Sequence, residues 1–515
     1  MVIYQVFTRL FGADVERPVP SGSKRQSGCG TMSAFTMRAL GEIRDLGVTH
    51  VWYTGIIEHA TCTDYSRYGI AADNPVIVKG RAGSPYAIKD YYDVDPDLAV
   101  KVADRIHEYE RLIERTHRAG MKVIQDFVPN HVARQYHSDA CPADFQDLGV
   151  GDDPSQSYSP ENNFYYLGEP LHLDNIVSTA DCGYYENPAK ATGNDVFSAW
   201  PGKNDWYETV KLNYGPSTYG KMLDILLYWS AKGVDGFRCD MAEMVPVEFW
   251  EWAIPRVKAR YPDVIFIAEV YNPSMYRDYI HRGGFDFLYD KVGLYDRLRA
   301  VTAGMCSTHE ITGCWQAVQD IQGNMLNFME NHDEQRIASD FFAGDARKGR
   351  PMLLVSALMN TNPMMIYFGQ ELGERGMDEE GFSGRDGRTT IFDYWTVDSI
   401  RRWRNKGKFD GKLLTRSEKA LQRFYGKVLH LSLEEDAFSK GMFWDLMYVN
   451  PDLHRQYLFL RSDGNRTYLV AANFSDEVAE VKVNIPDEAC NSFGMKNISS
   501  VSIKIDAWDG IIKRI

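Results

Sequence analysis

The chain has 515 residues, 44% of them hydrophobic and 25% charged, with a formal net charge of −14. That length and balance support a large apolar core and exclude both a metal- or disulfide-held miniprotein and a mainly disordered chain. The acidic surplus opposes attraction to phosphate backbones, so nucleic acid is not an expected partner, and no run approaches the ~20 apolar residues of a membrane-spanning helix.

Val2–Phe7 reads as a strand, VIYQVF, in place of the basic-then-apolar opening of a targeting segment; a chain processed upstream of this point starts the same way. A helix is expected over residues 33–46, ended by Gly47, then a strand over 48–53, a long helix over 98–119 closed by Gly120, and a strand over 121–127. Residues 132–216 are less periodic, rich in Asp, Asn, Ser, Pro and Tyr, and too long for an ordinary connection, so they read as an inserted subdomain. The alternation resumes with a helix over 218–232, a strand over 234–240, a helix over 246–259 and a strand over 264–270. Strands over 285–288, 325–329 and 364–368 bring the total to eight, the number that closes a (β/α)8 TIM barrel.

After residue 432 the pattern turns β-rich, with segments 456–461, 467–473 and 480–485 separated by Asp463-Gly464 and Ser475-Asp476 turns. The expected organisation is therefore a catalytic barrel from 1–131 and 217–432, the insertion from 132–216 after strand three, and a C-terminal antiparallel β-sandwich from 433–515. The eight cysteines, at 29, 62, 141, 182, 239, 306, 314 and 490, show neither a CxxC nor a Cys/His spacing of a zinc site.

Substrates of parallel barrels sit at the C-terminal ends of the strands, and four such ends are unusually polar. They are Asp126-Phe127-Val128-Pro129-Asn130-His131, Gly236-Phe237-Arg238-Cys239-Asp240, Ala268-Glu269 and Glu330-Asn331-His332-Asp333. Period two puts Arg238 and Asp240 on one face, with Phe237 and Cys239 toward the helices. A guanidinium beside Asp240 is expected to lower its pKa, as suits a nucleophile, while apolar chain neighbours are expected to raise that of Glu269, as suits a proton donor. Carboxyls on adjacent strand ends can approach the ~5 Å of a retaining glycosidase, with Asp333 supporting the positive transition state and His131 and His332 donating to sugar hydroxyls. Taken singly, His131 and His332 read as ordinary hydrogen-bonded histidines; their places beside Asn130 and Asp333 mark them out.

Together, DFVPNH, GFRCD, AEVYN and ENHD, in this order and with the long insertion after strand three, resemble the conserved regions of the α-amylase superfamily, glycoside hydrolase family 13, over almost the whole chain. The resemblance implies Asp240 as nucleophile, Glu269 as acid/base and Asp333 as transition-state stabiliser, with Arg238, His131 and His332 around the reacting sugar. It also implies Tyr86, in SPYAIKDYY, as an aromatic platform for a pyranose. Trp200, Trp206, Tyr165 and Tyr166 in the insertion are candidates for stacking on further sugar units or for plain packing.

Three departures stand out. Glu243 and Met244 occupy positions where many amylases carry Lys-His, and strand two ends in Thr54-Gly55 where the family usually has a proline. Val210-Lys211-Leu212-Asn213 resembles the short motif of the neopullulanase and cyclomaltodextrinase group and puts Lys211 where calcium-dependent amylases have an Asp ligand. A cation there repels calcium, and Asn130 is one matching ligand out of several, so the usual site reads as incomplete, no metal site is assigned, and calcium stays an open alternative.

The function implied is hydrolysis of α-1,4-linked glucans or maltooligosaccharides with retention. The rivals are transglycosylation, in which a sugar hydroxyl replaces water, and a silent barrel that only binds glycans or partners, against which the complete Asp240, Glu269 and Asp333 set argues.

Overall fold

The computed structural model describes residues 1–177 and 183–515, so Cys182 lies outside the described residues. Eight parallel strands close a barrel: β1 Val2–Phe7, β2 His50–Thr54, β3 Lys122–Phe127, β4 Gly236–Cys239, β5 Ile265–Ala268, β6 Phe287–Tyr289, β7 Met325–Phe328 and β8 Met364–Tyr367. Each pairs with its neighbours in chain order, and β8 returns to β1 with Met364 opposite Val2. Burial on both faces is why these strands are nearly continuous apolar runs. Inward, Ile3, Trp52, Ile124, Ile267, Leu326 and Met365 form a closed plug below the mouth. Outward residues such as Val6, Val51, Phe237 and Cys239 join the larger core under the helices.

Two helices begin later than their sequence pattern suggests. The helix expected from residue 98 starts regularly at Arg105, because the Glu108 carboxylate accepts the N–H groups of Val100 and Lys101 and holds that stretch in tight turns. The one expected from residue 33 is regular over Met37–Arg44, started by Thr36, whose hydroxyl accepts Ala39 N–H at 3.2 Å.

Two excursions rise from the barrel mouth. After β2, Ile57–His59 pairs antiparallel with Ile88–Val94, a hairpin whose periodicity was hidden by its short first arm. After β3, His131–Ala133 pairs with Thr209–Lys211, so the long insertion leaves and returns on one antiparallel stem.

Beyond the barrel, β9 Met442–Asp445, β10 Gln456–Ser462, β11 Thr467–Asn473 and a last strand Gly510–Arg514 make a four-stranded antiparallel sheet. Ala479–Asn484 and Ser500–Ile505 form a second, two-stranded one. Arg461 fastens this region to the barrel: its buried guanidinium donates to the carbonyls of Leu358, Phe438 and Gly441 at 2.9–3.0 Å. No helix among the described residues is long and apolar enough to cross a membrane.

One buried acid makes the core sensitive to pH. Glu371, just after β8, is fully buried; Tyr4 Oη donates to its Oε1 at 2.9 Å while its Oε2 has no partner. Burial pushes its carboxyl up to about 7. A folded-state value above the unfolded one means that the stability from this group is present at low pH and is lost as pH rises through the folded value. Glu371→Gln is therefore expected to match the wild type near pH 5 and to exceed it near pH 9 by on the order of 3 kcal/mol in chemical unfolding. A stability difference that stays constant across that range contradicts the assignment.

Candidate active site

Sequence reasoning places its candidates on four strands, and the barrel brings their ends to one mouth. Arg238 projects inward from β4 and is buried. Its Nη1 donates to Asp240 Oδ1 at 2.6 Å, its Nε donates to Tyr289 Oη at 3.1 Å, and its Nη2 lies 2.8 Å from Glu269 Oε2. Asp126 Oδ1, at the end of β3, is 3.5 Å from Nη1. The rings of Trp52, Tyr86 and Tyr289 surround the guanidinium carbon at 5.2, 5.4 and 5.6 Å, adding cation–π attraction to the ion pairs. The shared face of Arg238 and Asp240 is as period two requires.

The electrostatic expectation for Asp240 needs correction. Arg238 does pull its pKa down, but burial is the larger effect and the Glu269 charge adds to it, so the Asp240 carboxyl is held well above the usual range. Burial likewise pushes Asp126 up to about 6, and burial together with the Glu269 charge pushes Asp333 up to about 7. Burial thus pushes Asp126, Asp240 and Asp333 alike toward their protonated forms.

The apolar setting expected for Glu269 is also corrected. Its chain neighbours are apolar, but its carboxylate accepts Tyr271 Oη–H at 2.6 Å and Met241 N–H at 2.8 Å. Met241 has φ of 43°, a left-handed conformation that costs a side-chain-bearing residue roughly 1 kcal/mol and here aims its N–H at the acid.

The histidines are neutral. Burial, with the Lys211 and Lys79 charges, lowers His131 to about 3, and burial beside Arg238 takes His332 well below the ordinary range. Gln5 Nε2 donates to His332 Nδ1 at 2.8 Å, which assigns the His332 proton to Nε2. That nitrogen faces Tyr86 Oη at 2.7 Å and Asp333 Oδ2 at 3.2 Å. Tyr86 stacks on the His332 ring at 5.1 Å, so the platform residue and the histidine form one unit.

A cavity of about 290 Å³ lies over these groups, lined among others by Tyr86, His131, Trp206, Asp240, Glu269 and Asp333. Of the four aromatics considered in the insertion, Trp206 lines it, against the His131 ring. The others are engaged elsewhere: Trp200 stacks on His172 at 4.1 Å, Tyr165 on Tyr158 at 6.0 Å, and Tyr166 donates to Asp152.

The departures acquire physical reasons. Gly55 has φ of +79°, which a proline ring cannot adopt. Glu243 accepts the N–H groups of Tyr271 and Asn272 at 3.0 and 2.9 Å, setting the loop that carries the Tyr271 hydroxyl to Glu269. Lys211 Nζ lies among three oxygens: it is 2.8 Å from Asp195 Oδ1, 3.2 Å from the Met244 carbonyl, and bonded to Asn130 Oδ1.

Sequence reasoning missed Tyr271, Trp52, Tyr289 and Gln5. Tyr271 was within reach, being two residues beyond Glu269 and so on its side of the chain. The other three hold Arg238 or His332 from strands two places away around the barrel, contacts that exist only after barrel closure.

Comparison with known proteins identifies the family of the chain. Residues 22–445 match the model of the alpha-amylase catalytic domain. Alpha-amylase MalA of Haloarcula japonica is 25% identical over 391 residues, 74% of this chain and 45% of that protein. A cyclomaltodextrinase of Geobacillus thermopakistaniensis is 22% identical over 455 residues, 87% of this chain and 62% of that one. The chain thus spans less than two thirds of either relative. A crystal structure of a maltogenic alpha-amylase from Thermotoga neapolitana superposes with a TM-score of 0.65 at 20% identity, covering 100% of this chain and 98% of the other. With the catalytic-domain match running through most of its length, the chain belongs to the alpha-amylase family.

Proposed function

We propose that the protein is a retaining α-glycoside hydrolase that cleaves α-1,4-glucosidic bonds of starch-type glucans or maltooligosaccharides. The observation that carries this is Arg238 touching Asp240 with one arm and Glu269 with the other, at the floor of a cavity that also holds Asp333. A single guanidinium in contact with both acids suits the roughly 5 Å separation of retaining pairs.

In the proposed reaction Glu269 delivers a proton to the glycosidic oxygen as Asp240 attacks the anomeric carbon. The C–O bond to the leaving sugar breaks, and an ester to Asp240 forms with inversion. Glu269 then takes a proton from water, the water oxygen displaces Asp240, and the second inversion restores the original configuration. Arg238 stabilises the Asp240 carboxylate before attack and after release. Asp333, across the cavity, offsets the positive charge of the oxocarbenium-like transition states, while His131, His332 and Tyr86 bind the reacting sugar.

Asp240→Asn and Glu269→Gln are each expected to lower turnover of maltotriose by at least about 10²-fold with far-UV circular dichroism unchanged, and NMR of the wild-type reaction should show the α-anomer forming first. Near-wild-type turnover in either variant, or β-anomer first, overturns the roles. Sugars longer than maltotriose among the products instead show the second step passing to a sugar hydroxyl.

The proposed enzyme needs no calcium at the stem of the insertion, because the Lys211 ammonium already draws together the oxygens of Asn130, Asp195 and Met244. Treatment with EDTA is expected to leave activity and the thermal midpoint as they were, whereas Lys211→Met, which strips the cation from those oxygens, lowers the midpoint. A large loss on chelation that calcium restores overturns this.

A further inference from the structure

A second cavity lies at the far end of the barrel, in the seam with the C-terminal sheet. It measures about 450 Å³ and is lined by Thr312, Trp315 and Gln316 of the helix Glu310–Ala317, by Gln319, Gln322 and Asn360, and by residues of β9 with Tyr448. Gln322 and Asn360 shortly precede β7 and β8, so the cavity opens at the N-terminal ends of the strands, opposite the mouth that holds Asp240 and Glu269.

Its wall is built, not incidental. Asp445 Oδ2 accepts Thr312 Oγ1–H at 2.6 Å, Trp315 Nε1–H at 3.0 Å and Tyr457 Oη–H at 3.0 Å, and its Oδ1 accepts Met447 N–H at 2.7 Å. This carboxylate is spent on the protein; its effect is to fix the Trp315 indole, which meets the Phe443 ring edge-on at 5.2 Å. Trp444 Nε1 faces Tyr448 Oη at 3.4 Å, and Tyr448 itself is 61% exposed. Gln316 and Gln319 are exposed, and the buried Gln322 Oε1 and Asn360 Nδ2 have no hydrogen-bond partner within the protein.

The chemistry narrows the ligand. No Lys or Arg is among the described residues lining the cavity, so phosphates and other anions find no counter-charge. Fixed aromatic faces suit the C–H faces of pyranose rings, side-chain amides suit hydroxyls as both donor and acceptor, and the volume is that of a small-molecule site. We infer that this seam is a second, non-catalytic binding site for a segment of neutral α-glucan, remote from the place of cleavage. The class of ligand rests on the glucan reading of the catalytic mouth; the site itself rests on the seam.

Titration of maltoheptaose into the Glu269→Gln protein, followed calorimetrically, tests this. Adding Tyr448→Ala or Gln316→Ala, both exposed positions that the fold tolerates, is expected to weaken binding at the seam by roughly three- to tenfold, the scale of one lost stacking contact. Trp315→Phe, which keeps a ring but loses the Asp445 bond, is expected to weaken it as well. In otherwise wild-type protein, Tyr448→Ala should leave maltotriose hydrolysis unchanged while raising KM for amylose. Maltoheptaose binding unaffected by both exposed-site variants overturns the second site. Absence of maltotriose hydrolysis by the wild type overturns the catalytic reading alone.

Discussion

A positive charge buried at the barrel mouth is the constraint on which the rest of this site depends. Removing a guanidinium from water costs several kcal/mol unless close partners compensate, and Arg238 is met on every side. Asp240 comes from the end of its own strand, Glu269 from the next, Asp126 from the one before, and Tyr289 from β6. Three aromatic rings close the remaining directions. The cation therefore fixes the relative places of the two acids, and the acids in turn justify burying the cation. Each alone is a costly buried charge; together they are a preorganised electrostatic site.

Around that centre the protein spends polar groups on orientation. Glu243 sets the backbone that carries Tyr271, and Tyr271 holds one oxygen of Glu269. Gln5, Tyr86 and Asp333 hold His332 with its proton on a defined nitrogen. Gly55 takes a backbone conformation closed to proline. Lys211 joins the stem of the insertion to the barrel by ammonium-to-oxygen contacts. The positions where this chain departs from its family's motifs are thus occupied by residues whose contacts explain them.

Much of this was legible in the chain. Continuous apolar runs announced β1, β3 and β7 because strands buried on both faces have no polar side to show, and Thr467–Asn473 was bounded as expected because turn residues flank it. The polar strand ends identified Arg238, Asp240, Glu269 and Asp333 because such residues are costly inside a barrel and tolerable only at its mouth. What escaped was everything set by closure. The pKa of Asp240 depends on how deeply it is buried and on Glu269, neither of which has a local signature. The polar surroundings of Glu269 come from Met241 and Tyr271 folding over it, and the starts of two helices depend on Glu108 and Thr36 competing for backbone N–H groups.

The central claim is that Asp240, steadied by Arg238, is the group that bonds to the sugar. The most direct measurement is to trap the glycosyl–enzyme with a fluorinated α-glucosyl or maltosyl fluoride that forms the ester faster than it hydrolyses, then to locate the added mass by peptide mass spectrometry. The account predicts one sugar adduct per chain, on the peptide containing Asp240 and at that residue. An adduct on Glu269 or Asp333, or inactivation with no covalent mass, would contradict it.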